Sequence, residues 1–218
     1  MGRPRTHHDE KKQELIKIAF GLFMSKGYES TSIQDIMNAA KISKGAMYHY
    51  FANKEDVLDA VLNHILDLEE QRLAPVFQDA SLRPLEKLTA TMRLDSSQVT
   101  PEAQQATTYA MQRPASIFDY RARELSRKRT ASRLADLIRE GIAAGEFHTE
   151  YPDEMSFVIC SASQSIGEQL ILHADHAAAQ RAIGAFLQLF THCLGLGQQD
   201  QQYLSNFFRD QFGFEANE

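Results

Sequence analysis

The sequence predicts an all-α protein of about nine or ten helices, a three-helix helix-turn-helix head followed by a larger helical body. Three observations carry this expectation. Apolar residues recur at helical spacing nearly everywhere, and no run alternates as a strand would. Glycine and proline are scarce inside the long segments and collect at their ends. Two short helical patterns joined by a tight turn fill residues 31–51.

Residues 10–26 form the first helix, with Leu15, Ile18, Ala19, Leu22 and Phe23 on one face and Gly27 as its stop. The GRPR segment at residues 2–5, with His7 and His8, is a mobile basic arm. Thr31 or Ser32 caps the second helix, whose Ile33, Ile36, Met37 and Ala40 fall at helical spacing. Lys41-Ile42-Ser43 is a short connection with one buried residue, and Ser43 caps a third helix that runs through Phe51. Asn53 caps a long helix over 54–73, where Glu55, Asp56 and Asp59 suit the positive end of the dipole, and Pro75 ends it. The body continues from residue 81 or 82 to 94, opened by Pro84. Thr100 then caps a helix with Pro101 in its first position, which stops near Pro114. Residues 116–144 make one long helix ending at Gly145. Pro152 opens another through residue 173, capped near Asp175, and helices over 177–196 and 200–212 complete the chain. The division is a head at 1–55 and a body at 56–218.

With 218 residues, the chain can bury a core for one domain or two small ones. No apolar run approaches the roughly 18 residues that span a bilayer, and the N-terminus lacks the apolar stretch of a secretory signal. Cys160 and Cys193 sit in apolar helical patterns and read as reduced, buried thiols of a cytoplasmic protein. The net charge of −6 divides unevenly: residues 1–55 hold nine Lys and Arg against six Asp and Glu, and residues 56–218 hold fourteen against twenty-three. A basic head on an acidic body aims a polyanion at one end of the molecule.

Two short helices with a tight turn present the second to the major groove of double-stranded DNA. Lys44, Gly45 and Ala46 open that helix and approach base edges or the adjacent backbone. The Lys44 ammonium can donate to guanine O6 and N7. Gly45 permits close approach, and equally fits a structural role. Thr31, Ser32 and Ser43 sit at helix N-termini, where phosphate is favoured, and they serve as caps as well. Arg3 and Arg5 can reach a narrow minor groove. Lys54 opposes the dipole of the helix it opens, which a phosphate contact would explain. Met47 and Phe51 suit the core of the head. Tyr48, His49 and Tyr50 go round the helix and cannot all face DNA.

Across residues 10–60 the chain resembles the TetR family of helix-turn-helix transcriptional regulators. The resemblance rests on Phe23, Gly27-Tyr28, Thr31, Ile33, Ile36, Ala40, Ile42, Ser43, Gly45, Tyr48, Phe51, Lys54, Glu55 and Leu58. Residues 137–154, LIREGIAAGEFHTEYPDE, are similar to the turn before that family's dimerisation helices. The resemblance implies a homodimer on a palindromic operator, most often a repressor, released when its larger ligand-binding and dimerisation domain takes up a small-molecule effector. It also implies that His49 and Tyr50 point to phosphate or bases, that Tyr48 is shared between core and a phosphate contact, and that Lys54 touches phosphate. A helical architectural or adaptor protein that coats DNA without an effector is the alternative. An enzyme is not expected, because no nucleophile elbow, phosphate loop, dinucleotide fingerprint or carboxylate–histidine metal motif occurs.

In the body, segments 155–171 and 183–194 are apolar on more than one stripe, as suits a two-fold four-helix bundle between subunits. Met92, Tyr109, Met111, Phe118, Phe157, Gln164 and Glu168 are candidates to line an effector cavity, although Met and aromatic residues at helical spacing also make plain core. Glu168 fits a dimer contact equally well. The basic run RARELSRKR, 121–129, reads as a solvated helix face with Glu124 four residues before Lys128. His148, His173, His176 and His192 lack metal-ligand spacing, and no cofactor is expected.

Overall fold

The computed structural model describes residues 7–92, 99–172 and 176–212, without the side chains of 7, 167–172, 176, 179 and 212. Among these residues it is all-helical, with α1 (His7–Lys26), α2 (Ile33–Ala40), α3 (Lys44–Tyr50), α4 (Lys54–Gln78), α5 (Pro84–Met92), α6 (Pro101–Met111), α7 (Ile117–Ala143), α8 (Pro152–Leu172), α9 (His176–Leu194) and α10 (Gln198–Phe212). None of these helices is long and apolar enough to cross a membrane.

The chain forms two compact units. The first takes α1 to α3, α4 to Arg72, α6, and α7 to Leu125. Its core is built on Leu15, Ala19, Phe23, Ile36, Met47, Leu58, Val61 and Phe118, all fully enclosed. These are the inward positions of amphipathic helices, so hydrophobic burial sets the arrangement. The second takes the end of α4, α5, the rest of α7, and α8 to α10. Leu85, Ile138, Phe147, Ile159, Phe190, Leu194 and Leu204 form its centre, and α8 packs along α9.

The predicted start and stop signals mostly act as caps. Gly27, Gly145 and Gly195 all have positive φ just past a helix end. The Thr100 hydroxyl accepts the Ala103 amide, and Pro101 fills the first position of α6. Asn53 Oδ1 accepts the Asp56 amide at 2.8 Å, while Asp56 accepts the Ala52 amide at 3.0 Å.

Two expectations need correction. Pro75 does not end α4, which continues to Gln78. Proline in a helix loses one backbone donor and costs about 3 kcal/mol. The extra turn places Phe77 against the second core, where the Arg133 guanidinium lies 4.7 Å from its ring. Likewise, α1 begins at His7 rather than residue 10, so His8 belongs to the helix and not to an arm. Asp9 and Glu10 then occupy the first turn, where carboxylates suit the dipole.

Candidate nucleic-acid interface

The three helices of the head are held by their ends. Ser32, not Thr31, is the N-cap of α2: its hydroxyl accepts the Asp35 amide at 3.1 Å, and Asp35 accepts the Ser32 amide at 2.7 Å. Lys26 closes on Asp35 at 2.9 Å. The Ser32 hydroxyl and amide, with Lys26 beside them, hold the Asp35 carboxyl well below the usual carboxylate range. Thr31 is turned inward, 1% exposed, with its hydroxyl donating to the Gly27 carbonyl at 2.7 Å. Its hydroxyl is therefore used inside the head.

At the far end of α2, Lys41 takes a left-handed conformation with φ of 53° and caps the helix through Asn38 and Met37. Such a backbone costs a lysine roughly 1–2 kcal/mol. The Ile42 amide, bonded to the Met37 carbonyl at 3.1 Å, helps lock the turn. Ser43 then caps α3 through the Ala46 amide. Met47 and Phe51 face the core, as expected.

This leaves one outward face on α3. Ser43, Lys44, Gly45, Tyr48 and His49 are exposed, Tyr48 by 49%. Ala46 and Tyr50 are half-buried. Lys44 Nζ lies 5.9 Å from the Tyr48 ring, and among the described residues Lys44 has no carboxylate partner. His8 packs on the Tyr50 ring at 4.7 Å and meets His49 edge-on at 5.2 Å. The sequence reading missed His8 at this face, although the acidic pair Asp9-Glu10 signals a helix that begins earlier.

Lys54 is committed within the fold: its ammonium donates to the Glu29 carbonyl at 3.2 Å and sits 4.2 Å from the Tyr28 ring centre. Burial, with the Glu55 and Glu29 carboxylates nearby, pushes the Tyr28 phenol up to about 12. Arg3 and Arg5 lie outside the described residues.

The candidates for an effector cavity fall in both units. Tyr109 and Phe118 meet edge to face at 4.8 Å inside the first core. Met111 is 47% exposed. Met92 packs at the margin of the second core, and Phe157 lies on an exposed face of α8 with the Arg127 guanidinium 4.9 Å from its ring. Gln164 is half-buried on α8, and the Glu168 side chain lies outside the described residues.

A small helical head with one polar, basic and aromatic helix face defines a helix-turn-helix protein. Residues 15–61 match the sequence family described as bacterial regulatory proteins, tetR family. The transcriptional regulator AcuR of Cereibacter sphaeroides is 30% identical over 163 residues, 71% of this chain and 74% of AcuR. The HTH-type transcriptional repressor KstR2 of Mycolicibacterium smegmatis is 28% identical over 142 residues, 64% of this chain and 69% of that protein. In fold, the chain is similar to a TetR-family regulator from Syntrophomonas wolfei, with a TM-score of 0.61 at 19% identity, covering 88% of this chain and 99% of that one. A second TetR-family structure, from Pectobacterium atrosepticum, has a TM-score of 0.57 at 22% identity, covering 88% and 98%. The chain belongs to the TetR family of transcriptional regulators. It is a regulator and not an enzyme.

Proposed function

We propose that the protein is a cytoplasmic repressor that binds a palindromic DNA operator as a homodimer and is released by a small-molecule effector. The observation that carries the DNA reading is the outward face of α3, where Ser43, Lys44, Gly45, Tyr48 and His49 stand clear while Met47 and Phe51 anchor the helix. A helix so mounted can enter a major groove. DNA binding falls to residues 1–55, and effector binding and dimerisation to residues 56–218. This division is by role and cuts across the packing units, because α4, α6 and the start of α7 complete the core of the first unit. Exposed Phe157 and Val158 on α8 and Leu189 on α9 support pairing with a second copy, since apolar residues on packed helices favour being covered.

Selection of bound duplexes from random DNA tests the reading. Discrete palindromes are expected, whereas salt-limited coating of any sequence would replace the repressor with an architectural protein. On a selected palindrome, Lys44→Ala should lose roughly tenfold to a hundredfold in specific affinity while binding of unselected duplex changes far less. Equal losses on both would remove Lys44 as a base reader.

A further inference from the structure

Tyr109 stands on α6, yet its hydroxyl ends at the turn between α1 and α2, eighty-one residues away in the chain. The ring is buried, edge-on to Phe118, with the Arg113 guanidinium 4.2 Å from its centre. Its oxygen accepts the Tyr28 amide proton at 2.7 Å, and its own proton goes to Glu29 Oε2 at 3.4 Å. From α4, Lys54 grips the same two residues through the Tyr28 ring and the Glu29 carbonyl. The segment held this way leads directly into Ser32, the cap of α2.

The turn has contacts of its own, the Thr31 amide to the Tyr28 carbonyl at 3.1 Å, the Thr31 hydroxyl to the Gly27 carbonyl and the Tyr28 ring edge-on to Phe23, but none of these accepts the Tyr28 amide. Gly27 adopts φ of +95°, and a Cβ there would meet the Tyr109 oxygen only at ordinary contact distance, 3.5 Å. Glycine is required here for backbone conformation and not for space. The Tyr28 amide is buried, and removal of its acceptor leaves an unpaired donor that the turn can relieve only by shifting.

We infer that Tyr109 is a positioning residue for DNA binding: its hydroxyl fixes residues 28–32, and through them the N-terminus of α2, at the attitude a duplex requires. Being buried, Tyr109 reaches no DNA itself. The inference rests on the reading of residues 31–51 as the DNA-contacting segment.

The test is Tyr109→Phe in the full chain, which keeps the ring and removes one oxygen. The probes are the duplex enriched by the unaltered protein from random DNA and hydrogen exchange at the Tyr28 amide. Exchange at Tyr28 should speed up about tenfold or more beyond any change at the Val61 and Leu62 amides, which report global opening, and affinity for the enriched duplex should fall about tenfold, which corresponds to ~1.4 kcal/mol. A merely structural role would not move affinity, because a small loss of stability leaves nearly every molecule folded. Ile65→Val, in the same core further along α4, supplies the comparison: it should lose stability and keep affinity within about twofold.

If Tyr28 stays protected, or if Tyr109→Phe binds the enriched duplex as tightly as Ile65→Val, the inference is overturned and the DNA-binding reading stands. If the unaltered chain enriches no duplex, that reading fails and takes the inference with it, while the exchange data still report whether the hydroxyl holds the turn.

Discussion

The two compact units satisfy their polar groups in different ways. In the first, short-range caps such as Ser32 with Asp35 and Ser43 with Ala46 are joined by long-range hydrogen bonds that end on backbone groups, the Tyr28 amide on Tyr109, the Thr100 amide on Glu69 and the Lys54 ammonium on the Glu29 carbonyl. In the second, charged side chains reach between helices. Arg83, beside α5, pairs with Glu146 at 2.6 Å and with Asp200 of α10 at 3.1 Å. Lys87 of α5 pairs with Glu140 of α7, and Arg139 of α7 with Asp153 of α8. Short-range caps fix the path of the backbone and leave Lys44, Tyr48 and His49 of α3 exposed. Long-range pairs fix helices against one another around a packed core.

The largest expected effect separates the two units with one kind of substitution. Gly141 lies in α7 against the buried Phe147 ring, and a Cβ there would come within 2.1 Å of Phe147 Cδ2. The ring is 1% exposed and would itself have to shift to make room. Gly141→Ala should therefore cost about 2 kcal/mol or more, overpacking outweighing the better helix propensity of alanine. Gly21, in the middle of α1, has nothing within 4 Å, so Gly21→Ala should stabilise by about 0.5–1 kcal/mol. Chemical denaturation of the two variants decides the matter, and a shared sign would end the contrast.

A smaller effect probes the interhelical charges directly. The Lys87 side chain is 6% exposed and its partner Glu140 is 47% exposed. Removing the carboxylate strands a buried ammonium. Glu140→Ala should cost about 1–2 kcal/mol, below the figure for a fully enclosed pair because water reaches the glutamate. Lys87→Met removes the charge and keeps the bulk, and should be neutral within about 0.5 kcal/mol. If Lys87→Met proves the worse of the two, the pair is a net source of stability and not a matter of satisfying a buried charge.

The same difference explains what was legible in the chain. The caps at Ser43, Asn53 and Thr100 could be read because donor and acceptor lie a few residues apart. Helical spacing makes Lys44, Gly45, Ala46, Tyr48, His49 and Tyr50 available to face outward; Lys44, Gly45, Tyr48 and His49 do, whereas Ala46 and Tyr50 are half-buried against the head. Helical spacing makes Tyr109 a candidate for either a cavity lining or plain core, and nothing within α6 announces that its hydroxyl meets Tyr28. The basic run at 121–129 looked like a solvated face, but Arg121 reaches Asp59 at 3.8 Å, Arg123 pairs with Asp119 and Arg127 covers Phe157. Pro75 misled for the opposite reason: a local rule for ending helices was overridden by the burial of Phe77, which only the assembled core supplies.

The smallest expected effects lie at the capping box, where they test whether the head is held by its caps. Ser32→Ala should cost about 1 kcal/mol of stability. The Asp35 carboxyl, held low by Ser32 and then by Lys26, adds a pH dependence of definite sign. In the unfolded chain this group takes its proton in the ordinary carboxylate range, and in the folded chain only at lower pH. Its contribution is therefore complete above the ordinary range and is lost as pH falls towards the folded value, because the unfolded state binds the proton first. Asp35→Asn should be less stable than the unaltered protein at neutral pH, and the gap between their melting temperatures should close on acidification. Other lowered carboxylates, such as Glu69 and Asp79, are common to both proteins and cancel in the difference. A gap that stays constant from neutral to strongly acid pH would mean that Asp35 acts through packing alone, and the head would then owe less to its caps than the body owes to its ion pairs.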